Sequence, residues 1–129
     1  MTTVRTFDTF EAGQAMGSHD VAVDRAMFDR WASLYGDDLG ETAPGGMAMV
    51  VVMRSYMAIV TPRPPGNIHA GQHFEMHALP KLGDTVTTDL VCQHKQERKG
   101  RRWVTWATTT RASDGTPLFD GRITTIWAA

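Results

Sequence analysis

Three carboxylates, Asp37, Asp38 and Glu41, fall within five residues of chain and lead through Thr42-Ala43-Pro44 into the pair Gly45-Gly46 and a long apolar run. A carboxylate held between two apolar segments, as expected here near Tyr35 and Leu39, would be raised in pKa and suited to proton transfer. A helix that starts at Gly45 leaves its first N–H groups without intrahelical partners and at the positive end of its dipole, so a carbonyl oxygen placed there is polarised. Glycine lets a ligand come close. The spacing therefore offers Asp37 as a base, with Asp38 and Glu41 as substitutes, beside N–H donors at Gly45, Gly46 and Met47. The plainer alternative is a solvated acidic loop and a glycine pair that only permits a tight turn.

Other reactive side chains are fewer. His69, His73 and His77 recur every four residues, which puts them on one face of a strand. At about 13 Å between successive members they are too far apart to share one metal ion, so no metal site is expected. They read as a polar outward face, with His69 or His73 near a dimer seam, or with His69 as an auxiliary to the carboxylates. Arg54 is the one charge in the apolar run and needs a carboxylate partner, Asp37, Glu41 or one from another chain. Lys95, Arg98, Lys99, Arg101 and Arg102 crowd one hairpin end, either as a solvated turn or as a seat for phosphates or an acidic partner. Cys92 lies on the apolar face of a strand and reads as core.

The elements that must position these groups follow from periodicity and breakers. A strand ending at Val23 leads into a helix capped by Asp24, with Met27, Phe28, Trp31, Leu34 and Tyr35 as its apolar stripe and Gly36 as its stop. Residues 45–59 form a second helix, apolar all round, closed by Thr61-Pro62-Arg63-Pro64-Pro65. At roughly 20 Å it is too short for a bilayer of about 30 Å, so it is expected to be buried on every side. Residues 67–78, 85–96, 102–112 and 118–127 alternate as strands, joined by turns that include Asp114-Gly115, and are expected to run as a four-stranded antiparallel meander. The fold class is α+β, a curled antiparallel sheet wrapped around one long buried helix, which is the hot-dog arrangement, in a single domain over 1–129.

With 129 residues, 42% of them hydrophobic, the chain has room for one core, and a net charge of -1 argues against nucleic acid as partner. One cysteine and an N-terminus without the basic and apolar regions of a signal peptide point to the cytoplasm. Eight methionines serve as core filler or as the lining for a variable apolar ligand. Trp103, Trp106 and Trp127 are more aromatic surface than one small sheet is expected to hide, which favours a homodimer or a dimer of dimers.

The chain resembles the MaoC-like branch of the hot-dog superfamily, including its (R)-specific enoyl-CoA hydratases, from about Val21 onward. The resemblance is carried by Phe28-x-x-Trp31-Ala32-x-Leu34-Tyr35-Gly36-Asp37, by Ala43-Pro44-Gly45-Gly46-Met47 and by Leu82-Gly83-Asp84-Thr85-Val86. It implies binding of acyl thioesters of coenzyme A or acyl carrier protein and a hydratase or dehydratase activity, with no cofactor besides the thioester substrate. In that family the helix-end motif runs Gly-Asp-x-Asn-Pro-x-His, its Asp and His working as a pair. Asp37 matches the Asp; Leu39-Gly40 stands for Asn-Pro and Thr42 for the His, so half of the pair is missing. A hot-dog thioesterase, in which no His is compulsory, and a non-catalytic acyl-CoA-binding subunit are the alternatives.

Overall fold

The computed structural model describes residues 3–36 and 40–129. A 3-10 turn, Phe7–Thr9, precedes strand β1 (Ala15–Ala22), helices α1 (Arg25–Tyr35) and α2 (Met47–Ile59), and strands β2 (Ile68–Met76), β3 (Thr85–Arg98), β4 (Arg101–Arg111) and β5 (Pro117–Trp127). All five strands form one antiparallel sheet in the order β1-β3-β4-β5-β2. The expected meander therefore holds only for β3, β4 and β5. Strand β2 does not pair with β3; it crosses to the far side of the sheet and pairs with β5. The Pro-rich connection after α2 and the connection 77–84 supply the two crossovers.

The sheet curls over α2. Met47, Ala48, Val51, Val52, Ser55 and Tyr56 form the buried face of that helix, and Val86, Leu90, Cys92, Val104, Trp106, Ile123 and Trp127 line the face of the sheet beneath it. The helix is not enclosed on every side as expected. Arg54, Met57 and Ala58 are exposed and Val50 and Met53 half-buried, because the sheet covers a helix from below and α1 shields the remainder only in part. Among the described residues, no helix is long and apolar enough to cross a membrane.

Five threonines and serines sit in this core, and most are satisfied locally. Thr88 and Thr110 share a hydroxyl–hydroxyl bond of 2.8 Å, and Thr125 donates to the Val104 carbonyl at 3.0 Å while accepting from Trp106 Nε1 at 3.2 Å. Thr108 Oγ1 has no partner; it lies against Gly121, where an added Cβ would sit 2.6 Å from it and 2.9 Å from the Phe74 ring. Phe74 and Gly121 are paired across β2 and β5, so the ring lies over the gap that glycine leaves.

Trp106 and Trp127 are buried within the chain itself, contrary to the expectation that they need a partner, and Trp103 is half-buried. Phe10 packs 5.0 Å from Trp106 and 5.6 Å from Trp127, and Trp127 Nε1 donates to the Arg5 carbonyl at 2.7 Å. Lys95 holds this plug in place. Its Nζ donates to the carbonyls of Phe7 and Phe10 at 2.5 and 2.6 Å and lies 4.3 Å over the Phe7 ring. A bulge at Gln93 shifts the register of β3 by one, so Lys95 stands opposite buried Val104 and turns inward rather than joining the basic hairpin end.

On the other face Asp89 clasps three strands. Ser18 of β1 donates to Asp89 Oδ1, and Arg111 of β4 donates to Oδ2 at 2.6 Å. The Ser18 hydrogen bond first, and then the Arg111 guanidinium, hold this carboxyl below the usual carboxylate range.

Two outcomes are expected. Gly121→Ala, which pushes a methyl group into Thr108 and Phe74, should destabilise the protein by about 1–3 kcal/mol in urea unfolding, and an unchanged midpoint would show that the ring does not lie over the glycine. Because the Asp89 pKa is depressed on folding, its stabilisation is present above the unfolded value of about 3.9 and is lost as pH falls below it. Asp89→Asn should therefore flatten the acid limb of the stability–pH curve below about pH 4, measured by unfolding across that range.

Candidate functional site

The start of α2 is built by a clip between two loops. The Glu41 carbonyl accepts from the Leu82 N–H at 2.7 Å, Thr42 bridges to Lys81, and the Ala43 N–H donates to the Pro80 carbonyl at 2.8 Å. Ala43 is buried beneath this clip while Glu41 and Thr42 stay exposed. From Pro44 the chain enters the helix through a tight turn. The N–H groups of Met47, Ala48 and Met49 donate to the carbonyls of Pro44, Gly45 and Gly46 at 3.0, 3.1 and 3.2 Å. Met47 is thus not the free donor expected from the sequence. Its N–H is bonded and its side chain is fully buried.

Gly45 and Gly46 are different. Among the described residues neither N–H has a hydrogen-bond partner, both residues are exposed, no side chain caps the helix and no acidic residue stands in its first turn. The positive end of the dipole is therefore presented through these two groups. Each position is glycine for its own reason. A Cβ at Gly45 would meet nothing within 4 Å, so that side is open, whereas a Cβ at Gly46 would stand 2.8 Å from Cη2 of Trp31. Gly46 is the flat seat on which Trp31 rests.

Helix α1 holds Trp31 there. Asp24 accepts the Met27 N–H at 3.0 Å as N-cap, Gly36 closes the helix in the left-handed region at φ 74°, and Met27 and Phe28 anchor it in the core. These are the limits that the sequence predicts. Leu34 and Tyr35, however, are exposed rather than part of the buried stripe, with Tyr35 stacked 4.5 Å from Trp31. The leading carboxylates, Asp37 and Asp38, lie outside the described residues.

The remaining candidates are placed apart from this helix start. A bulge at Ala70 shifts β2 by one residue, so His69 pairs with buried Thr125 on the inner face and His73 pairs with Arg122 on the outer face. The expected row of three histidines on one face is thereby split. His77 lies past the strand and meets Asp120 Oδ2 at 3.1 Å. His69 bonds Gln72 at 3.0 Å beside a cavity of about 170 Å³ that also involves Met53, Tyr56, Met57 and Arg63. Tyr56 lies ten residues beyond Gly46, or about 15 Å along the helix, so this cavity belongs to the other end of α2. Burial pushes the Tyr56 phenol up to about 12, against a smaller opposing pull from Arg63, and the group stays neutral.

The basic hairpin is farther still. It joins β3 to β4 at the end of the sheet opposite the start of β3, where the clip holds the glycine tip, and Arg98 is spent over the Trp103 ring at 5.3 Å. Arg54 has no ion pair with any described residue; it stands on the outer side of α2 and lines a cavity together with Arg30 of α1. Burial pushes the Cys92 thiol up, as for an inert core residue. Among the described residues, no group of three metal-ligating side chains comes together.

No family model matches the chain, and no curated protein matches it in sequence. Solved structures do match in shape. The R-hydratase PhaJ1 of Pseudomonas aeruginosa superposes with a TM-score of 0.74 at 22% identity, over 92% of this chain and 82% of that one. A MaoC-like dehydratase from Rhodospirillum rubrum gives 0.80 at 16% identity, over 97% and 98%. A hypothetical thioesterase from Streptococcus pneumoniae, solved with coenzyme A, gives 0.64 at 11% identity, over 92% and 83%. By strand order, the curl of the sheet over one face of α2 and these superpositions, the chain has the hot-dog fold, on the same frame as MaoC-like dehydratases and (R)-hydratases.

Proposed function

We propose that this protein binds acyl thioesters of coenzyme A or an acyl carrier protein and acts on them as a hydratase or dehydratase in the cytoplasm. The observation that carries the reading is the pair of N–H groups at Gly45 and Gly46, unpartnered among the described residues and open to solvent at the positive end of an uncapped helix. A thioester carbonyl accepting from them is polarised, and the enolate oxygen that forms when water adds to the double bond is stabilised there. Asp37 takes the proton from water as its oxygen bonds to C3 and returns it to C2, so atoms balance within one residue's two protonation states. Asp38 and Glu41 are the substitute carboxylates, and the Thr42 hydroxyl orients the water where related enzymes have His. His69, on β2 beside the distal end of α2, enters this site only if a second chain presents it. Hydration is redox-neutral and calls for no cofactor besides the thioester itself.

A homodimer suits this reading. The outer edge of β2 is unpaired, and Ile68 and Met57 beside it are 50% and 52% exposed. One observation favours a second reading, thioester hydrolysis: Thr42 replaces the His that hydration enzymes use, and attack of water on the carbonyl needs only a carboxylate and the same N–H donors. A subunit that binds without turnover completes the set.

Crotonyl-CoA separates these outcomes. Loss of the enoyl absorbance without free thiol is expected, and Asp37→Asn should lower that rate by about a hundredfold or more. Thiol release would favour hydrolysis, tight binding with neither would mark the subunit, and no binding at all would end the thioester reading. Thr42→His, at an exposed position, should raise hydration at least about tenfold by restoring the second proton carrier. If Asp37→Asn left turnover unchanged, Asp37 would not be the base.

A further inference from the structure

Between α1 and α2 runs a cavity of about 250 Å³ lined by Met27, Arg30, Trp31, Leu34, Val50 and Arg54. Its α1 wall is the row 27, 30, 31, 34 and its α2 wall is Val50 and Arg54, one turn apart, each on one stripe of a helix. Trp31, which lines this groove, also rests on Gly46, so the groove adjoins the helix start across that contact. It is apolar except for two guanidinium groups, one on each wall, and among the described residues neither has a carboxylate within ion-pair distance. Two like charges facing one apolar cavity favour an anion between them, and guanidinium is the side chain best shaped for a carboxylate.

We infer that this groove selects acyl groups that are short and end in a carboxylate, with Arg54 and Arg30 gripping the far end while the thioester carbonyl sits at Gly45 and Gly46. The inference rests on the thioester reading above and narrows its substrate class. Arg54 lies eight residues beyond Gly46, about 12 Å along the helix, and its side chain reaches back over part of that distance. The cavity falls below the roughly 300 Å³ at which drug-sized sites begin, which fits a chain of a few carbons and no more. A neutral acyl chain finds the same apolar walls but desolvates the guanidinium groups without pairing them.

Calorimetric titration with glutaryl-CoA and butyryl-CoA tests this, since both carry the same coenzyme A and differ at the end of the chain. Glutaryl-CoA is expected to bind at least tenfold tighter. Arg54→Gln should remove most of that preference, and Arg30→Gln with Arg54→Gln all of it, by weakening glutaryl-CoA while butyryl-CoA binds no more weakly than before. Both positions are exposed, and matching thermal melts check that the variants fold. Equal binding of the two thioesters by the unaltered protein would overturn the inference alone. Equal loss for both in Arg54→Gln would place Arg54 on coenzyme A itself and overturn it as well. If neither thioester binds, the thioester reading fails and takes this inference with it.

Discussion

Burial of one face of α2 against the concave side of the sheet is the interaction on which the remaining structure depends. The helix has little of its own to sustain it. It carries three consecutive valines, Val50, Val51 and Val52, no capping side chain, no acidic residue in its first turn and no basic one in its last. β-Branched residues lose rotamer freedom in a helix, and a run of this length is marginal in water. Its stability is therefore tertiary, supplied by contact with Val86, Leu90, Trp106 and Ile123. The absence of a cap has a second consequence. Helices stabilised from within commonly occupy their first N–H groups with a Ser, Thr or Asp side chain; here packing performs that task and two N–H groups remain available for a ligand.

The sheet accepts the helix at the expense of a core with many hydroxyls. Thr88, Thr110 and Thr125 are buried but bond to one another, to the backbone or to Trp106, so each retains a partner. A buried hydroxyl without a partner carries a desolvation penalty of about 1–3 kcal/mol, and Thr108 is the position where the sheet bears it. It lies under Gly121, where the Phe74 ring takes the place of a side chain. The polar groups of the inner face are tied to one register. A slip by one residue would both expose the apolar set and separate the bonded threonines.

Much of this frame was legible in the chain. Asp24 and Gly36 as the limits of α1, the Asp114-Gly115 turn, the alternation of Val86, Thr88, Leu90 and Cys92, and a breaker after Ile59 are local features, and each appears where local chemistry puts it. What was not legible depends on single-residue insertions and on long-range pairing. Bulges at Ala70 and Gln93 each invert the alternation downstream, which divides His69 from His73 and turns Lys95 inward. Nothing in the period of the residues marks where a bulge will fall. The move of β2 to the β5 edge is likewise a property of the crossover. The Trp31–Gly46 contact left a trace in hindsight, since 27, 30, 31 and 34 form one stripe of α1 and 46, 50 and 54 one of α2, but which two stripes meet is decided only in three dimensions.

The candidate site divides into a backbone part and a side-chain part, and the two are exposed to substitution in different ways. The N–H donors of Gly45 and Gly46 are set by the path of the chain, which the clip of 41–43 onto 80–82 and the Trp31 seat hold in place. No single change of a polar side chain removes them. Proton transfer depends on particular side chains at 37 and 42, and there Thr42 already differs from the His that the hydration motif requires. In the proposed reading, polarising a carbonyl is thus the more deeply built property, because the donors follow from the same burial that folds α2. The reaction proposed for that carbonyl would be decided by side chains rather than by the frame, and a hot-dog frame can exchange hydration for hydrolysis or for binding alone without disturbing its core.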